Sequence, residues 1–143
     1  LDQAKLRTDM LNSARWLKSQ PLSSGKLGCT GFCWGGGTTN QLAVEMSGDL
    51  QAAVPFYGAA PEAASVPRIK AGLLVHYAEN DERINAMWPA FEAALKAHGI
   101  AYEMHTYPGT QHGFHNNSTP RYHEPSAKLA WDRTVAHFRR YLA

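Results

Sequence analysis

The chain has little cysteine: only Cys29 and Cys33, both near its start. Two cysteines cannot staple a small disulfide-built fold, and strand geometry between them holds their sulfurs too far apart to bond. Free thiols suit a reducing compartment, so a cytoplasmic location is expected. No apolar run approaches membrane-spanning length, and Leu1 opens no signal-peptide pattern, so no membrane role is expected. Charge is also sparse and balanced, with a net value of +2 and both signs interspersed. That leaves no basic patch for nucleic acid and no like-charged tail. Repeats and low-complexity segments are absent. What remains is 143 residues, enough for a single domain, 1–143, around one core.

Apolar periodicity divides this domain into alternating elements. Residues 2–19 carry Leu6, Met10, Leu11, Ala14 and Leu17 at helical spacing. Strands are expected at Lys26–Thr30, Leu50–Tyr57, Ala71–Tyr77 and Ala101–Tyr107, of which Leu50–Tyr57 is too apolar to alternate and so covered on both faces. Helices are expected over Thr38–Met46, Ile84–His98 (with Met87, Phe91, Ala94 and Leu95 inward) and Ser126–Tyr141 (with Leu129, Val135, Phe138 and Leu142 inward). Pro108–Phe114 and Asn116–Pro125 read as loops. Strands alternating with helices imply a parallel α/β sheet of about four strands between helical layers, a three-layer α/β/α arrangement.

The chemistry concentrates in Lys26-Leu-Gly-Cys-Thr-Gly-Phe-Cys-Trp-Gly-Gly-Gly37. A strand runs into Gly31-Phe32-Cys33-Trp34-Gly35, which sets a cysteine between glycines at the spacing of a nucleophile elbow, G-x-nucleophile-x-G. The turn from strand to helix is tight enough that glycine is expected to be needed at Gly31 and Gly35, with Gly36 opening the helix. Cys33 would project at a helix N-terminus, whose partial positive charge favours thiolate. A phosphate-binding loop is the rival for a glycine-rich turn. Its spacings, G-x-G-x-x-G or a glycine loop ending in Lys-Ser/Thr, are missing. A buried structural cysteine is the other rival.

Sites on parallel sheets gather at the strands' carboxyl ends, and three such ends carry Cys33, Asp81 and His112 in that order. A thiol attacking a carbonyl needs a base to take its proton, and imidazole titrates in the right range. The imidazole needs an acceptor to hold its tautomer, a role for a short carboxylate just past a strand. Asp81 competes with Glu79 and Glu82 for that role, and His112 with His115 and His123. Gly109 and Gly113 permit a tight loop that aims His112 back at the elbow. Zinc binding by His112, His115 and His123 lacks a fourth ligand and the short fixed spacing of a zinc site.

Gly31-Phe-Cys-Trp-Gly-Gly36, Val75-His-Tyr-Ala-Glu-Asn-Asp-Glu-Arg-Ile84 and Tyr107-Pro-Gly-Thr-Gln-His-Gly-Phe114 together resemble the dienelactone hydrolase family, a branch of the α/β-hydrolases with a Cys-Asp-His triad. The resemblance implies Cys33 as nucleophile, His112 as base and Asp81 as its orienting acid. It implies hydrolysis of a small-molecule ester or lactone without metal or organic cofactor, and an oxyanion hole that includes the N–H of Trp34. It runs to the C-terminal half of the family's domain. The first strands of that domain supply a second oxyanion donor and a glutamate that restrains the thiol. Where the family has a carboxylate-gripping arginine, four residues after the histidine, this chain has Asn116.

Two other readings stand beside the hydrolase: an interaction module that keeps the fold without turnover, and a thiol-redox protein using Cys29 and Cys33. In the family the elbow strand is paired on both sides. Here it is expected to be an edge guarded only by Lys26, so a homodimer or pairing with a separate N-terminal half is expected to cover it.

Overall fold

β1 (Gly28–Phe32), β2 (Ala52–Phe56), β3 (Gly72–Asn80) and β4 (Tyr102–Gln111) lie side by side in chain order, all parallel, in the computed structural model, which describes residues 1–143. The register sets Gly28 beside Ala52 and Phe32 beside Phe56, so β1 and β2 end level with each other. α1 (Gln3–Lys18) precedes β1, α2 (Trp34–Met46) follows it, α3 (Glu82–Asn85) and α4 (Trp88–Ala97) join β3 to β4, and α5 (Glu124–Leu142) ends the chain. A short 3-10 turn, Ser47–Asp49, follows α2, and a 3-10 segment, Ala63–Arg68, precedes β3.

Alternate residues of the buried strands feed two cores, which makes the fold a three-layer α/β/α sandwich of the α/β-hydrolase type. On one face Ala53, Leu73, Val75 and Tyr77 meet Leu42, Val44 and Met46 of α2 and Trp88, Phe91 and Leu95 of α4. On the other, Val54, Phe56, Leu74, Ala78 and Tyr107 pack with Phe114 and with Ala130 of α5. β2, and β3 as far as Ala78, are fully buried, as parallel strands covered on both faces must be, whereas β1 and β4 are only partly buried.

The element boundaries differ from expectation in informative ways. β1 begins two residues late, at Gly28, because Gln51 caps the approach: its Oε1 accepts the Leu27 N–H at 2.7 Å. α2 begins at Trp34, so all three glycines after it are helical. The expected Ile84–His98 helix is split into α3 and α4, the second starting at buried Trp88 with Pro89 in its first turn. β3 and β4 run on to Asn80 and Gln111, placing Asp81 and His112 one residue beyond their strand ends.

α5 is the clearest correction. It buries Ser126, Ala127, Ala130 and Thr134, while the expected core residue Leu129 is 46% exposed and Val135, Phe138 and Leu142 are only half-buried. Small residues let the helix sit close to the sheet, and the large ones flank the contact. α1 buries no residue fully: Leu11 and Ala14 touch the core, whereas Met10 and Leu17 are exposed. β1 pairs only with β2, so it is an edge strand as expected.

Candidate active site

β1 delivers the chain to Cys33 in a conformation few non-glycine residues adopt, φ 56° and ψ −118°. Such backbone costs about 1–3 kcal/mol and persists only where neighbours hold it. Here the Cys33 N–H donates to Phe56 O at 3.1 Å, and its carbonyl accepts from the N–H groups of Gly36 (3.0 Å) and Gly37 (3.2 Å). Steric need explains only part of the glycine run. A Cβ on Gly31 would lie 2.2 Å from Gly35 O, whereas one on Gly35 would meet nothing within 4 Å. The second required glycine is instead Gly36, where a Cβ would come 2.5 Å from Phe56 O, with Gly58 packed against it so closely that a Cβ there would lie 2.2 Å from the Gly36 carbonyl carbon. The elbow is therefore clamped to the end of β2.

At the ends of β3 and β4 the competing carboxylates and histidines separate. Asp81 Oδ2 lies 2.6 Å from His112 Nδ1, with the Asp81 side chain only 9% exposed. Glu79 accepts the Gly109 N–H at 2.7 Å, which pins the loop leading to His112, and Glu82 is exposed in the first turn of α3. Asn85 donates to Ala78 O at 2.9 Å and ties α3 to the end of β3. His115 sits in an aromatic slot, its ring 5.0 Å from Phe32, 5.2 Å from Phe56 and 5.7 Å from Trp131. Burial pushes its pKa below the ordinary imidazole value. His123 caps α5 through its Nδ1, 2.8 Å from Ser126 Oγ. His112 is left as the histidine with a carboxylate at its back and the elbow in front.

Cys33 and His112 line one cavity of about 410 Å³, together with Trp34, Tyr57 and Ile84. Its volume falls within the range of small-molecule sites. No hydrogen bond joins the Cys33 sulfur to His112, and the thiol is raised above its ordinary value. Burial raises it most, Arg121 opposes that, and Asp81 adds to it. Burial and Asp81 therefore work against the thiolate that the helix N-terminus was expected to favour. Trp34, half exposed, begins α2, so its N–H has no carbonyl partner within the helix. Cys29 lies half-buried in β1 with its sulfur 3.5 Å from Thr39 Oγ1, and burial raises its pKa too.

One site residue escaped the sequence. Tyr57 follows β2 directly, with φ 36°, its ring 5.0 Å from that of His112 and 1% exposed. Its place past a strand's carboxyl end was the available signal. Burial, reinforced by Cys33, keeps its hydroxyl protonated.

The family model for the dienelactone hydrolase family matches residues 2–142. Protein usf of Aquifex pyrophilus is 32% identical over 143 residues, covering 96% of this chain and 59% of its own. A carboxymethylenebutenolidase homolog of Mus musculus is 33% identical over 106 residues, covering 70% of this chain and 41% of its own. The crystal structure of dienelactone hydrolase from Anabaena variabilis superimposes with a TM-score of 0.76 at 25% identity, covering 99% of this chain and 62% of that one. This chain therefore spans about half the length of the curated relatives it matches.

Proposed function

The chain belongs to the dienelactone hydrolase family, and from that membership and the site's geometry we propose that it hydrolyses a carboxylic ester or lactone through an acyl-thioenzyme on Cys33. The observation that carries the reading is the 2.6 Å His112–Asp81 contact at the wall of a cavity that Cys33 also lines.

With Nδ1 engaged by Asp81, His112 has Nε2 free for the thiol. Rotation of the Cys33 side chain toward it lets Nε2 take the proton as sulfur attacks the substrate carbonyl. The imidazolium is steadied by Asp81, which needs no proton of its own. The tetrahedral oxyanion is met by the Trp34 N–H, and the imidazolium returns its proton to the leaving alkoxide as the C–O bond breaks. Water, deprotonated by the same nitrogen, then attacks the thioester and releases the acid and the Cys33 thiol. A neutral resting thiol fits this sequence, because the proton leaves only when the base and the carbonyl are both in place.

Burst kinetics with p-nitrophenyl acetate test the proposal. A burst is expected from the chain, none from Cys33→Ala, and a rate lower by on the order of a hundredfold or more from Asp81→Asn. A burst that survives Cys33→Ala refutes the mechanism, and no reaction at all favours a non-catalytic module. The same reading gives the free edge of β1, whose residues carry no charge, to a second copy of the chain. Light scattering at micromolar concentration that finds only a monomer would remove that part of it.

A further inference from the structure

Phe56, Tyr57 and Gly58 leave the end of β2 as a bracket between the nucleophile and the base. Their backbone holds the elbow: Phe56 O accepts the Cys33 N–H at 3.1 Å, and Gly58 packs against Gly36 with no room for a side chain. Between them Tyr57 turns out of the strand with φ 36°, in the left-handed region that side chains rarely occupy, while its N–H stays bonded to His76 O at 2.7 Å. Strain of this kind survives only where the surroundings over-determine it. What it achieves here is direction, because the Tyr57 ring is brought to the base, its centroid 5.0 Å from that of His112. Beyond β4, Gly113 has φ 86°, which lets residues 112 and 114 both face that ring. Phe114 meets it edge to face at 5.4 Å. His112 and Phe114 therefore grip one ring, which is only 1% exposed although it lines the cavity.

We propose that Tyr57 is the positioning residue that sets the His112 imidazole at its working place before Cys33. The proposal rests on the hydrolase reading, with Cys33 as nucleophile and His112 as base. A histidine ring turns readily about its Cβ–Cγ bond, since that torsion has broad minima. The 2.6 Å contact with Asp81 fixes one atom, Nδ1, and leaves the ring a pivot there. Tyr57 is the aromatic ring packed against His112, and it blocks the rotation that would swing Nε2 away from the elbow. Because the residues on either side of Tyr57 carry the elbow, base and nucleophile are referred to one piece of chain. The loop that bears His112 cannot supply this by itself, with Gly109 and Gly113 both in the left-handed region. No hydrogen bond joins the Tyr57 hydroxyl to His112, so the ring makes the contact.

The test compares wild type, Tyr57→Phe and Tyr57→Leu in two ways. One is the acylation rate with p-nitrophenyl acetate, and the other is the proton NMR resonance of the His112 Nδ1–H, assigned by its loss in His112→Gln. Tyr57→Phe should keep acylation within about threefold of wild type and keep the resonance. Tyr57→Leu should slow acylation about ten- to a hundredfold, with KM changed by less than about threefold. Its Nδ1–H resonance should broaden as the ring gains freedom to turn and to exchange with water. Acylation near the wild-type rate in Tyr57→Leu overturns the proposal. So does a Tyr57→Phe that falls as far as Tyr57→Leu, since that would give the role to the hydroxyl. A Tyr57→Leu that loses acylation only in step with its folded fraction, by thermal melt, with the resonance still sharp, also overturns it, since that marks a core residue. Failure of the hydrolase reading looks different: the burst is absent or survives Cys33→Ala, and the resonance then decides whether Tyr57 holds His112.

Discussion

Lowering the pH should destabilise this protein through one residue remote from the cavity, His76. It is fully buried in β3, between Tyr107 and Thr134. Thr134 Oγ1 gives its hydrogen to Ala130 O at 2.8 Å, so it must accept from His76 Nε2 at 3.0 Å. That leaves His76 Nδ1 as the acceptor of the Tyr107 hydroxyl at 2.9 Å, and Tyr107 in turn accepts from Arg133 at 3.1 Å. The Thr134–His76–Tyr107–Arg133 hydrogen bonds are all satisfied only with a neutral imidazole. A second proton would meet the Tyr107 hydrogen and a nearby guanidinium. Burial, then the charges of His105, Arg133, His115 and His137, accordingly lower the His76 pKa from 6.5 to about 3. Between those two values the unfolded chain binds a proton that the folded chain refuses, so stability falls as pH falls through that window. The slope approaches about 1.4 kcal/mol per pH unit, and from pH 6.5 to about pH 4.5 the loss reaches about 2 kcal/mol. Urea unfolding at both pH values, in wild type and His76→Gln, isolates this residue, because His105, His115 and His137 contribute to both proteins. His76→Gln starts less stable but should lose about 2 kcal/mol less on acidification. Equal losses in the two proteins would refute the buried-neutral assignment.

Two further substitutions probe the framework. Gly58→Ala drives a methyl into the Gly36 carbonyl carbon and should cost about 3 kcal/mol and weaken the acylation burst, whereas Gly48→Ala, with open space around it, should change neither; thermal melts and the p-nitrophenyl acetate assay report both. On α5, Ala130→Leu overfills a fully buried contact and should cost about 1–3 kcal/mol, while Leu129→Ser at an exposed position should stay within about 0.5 kcal/mol of wild type, as measured by urea unfolding.

Much of the fold was legible because its signals are short-range. Leu50–Tyr57, apolar without alternation, meant a parallel strand covered on both faces, and β2 is fully buried, with all four strands pairing in chain order. The elbow could be read because a tight strand-to-helix turn demands glycine beneath it, and Gly31 meets that demand within four residues of its clash partner. Where the demand crosses between elements, as from Gly36 to Gly58, spacing misassigned it to Gly35. α5 failed for a similar reason. Helical periodicity marks Leu129 and Val135 as apolar, but cannot show that alanine and threonine let the helix approach the sheet while leucine stays outside.

By itself the sequence determined the alternation of strand and helix and the elbow at Cys33. It also brought Cys33, Asp81 and His112 to the carboxyl ends of three strands, since these follow from local sterics and the order of elements along the chain. The tertiary structure decided which carboxylate meets which histidine, giving Asp81 to His112, Glu79 to a backbone N–H, His115 to an aromatic slot and His123 to a helix cap. It also decided that burial raises the Cys33 thiol and that Arg121 stands over Gly113. Ionisation and pairing answer to burial and to charges brought in from distant segments, and neither is written in the spacing of residues along a chain.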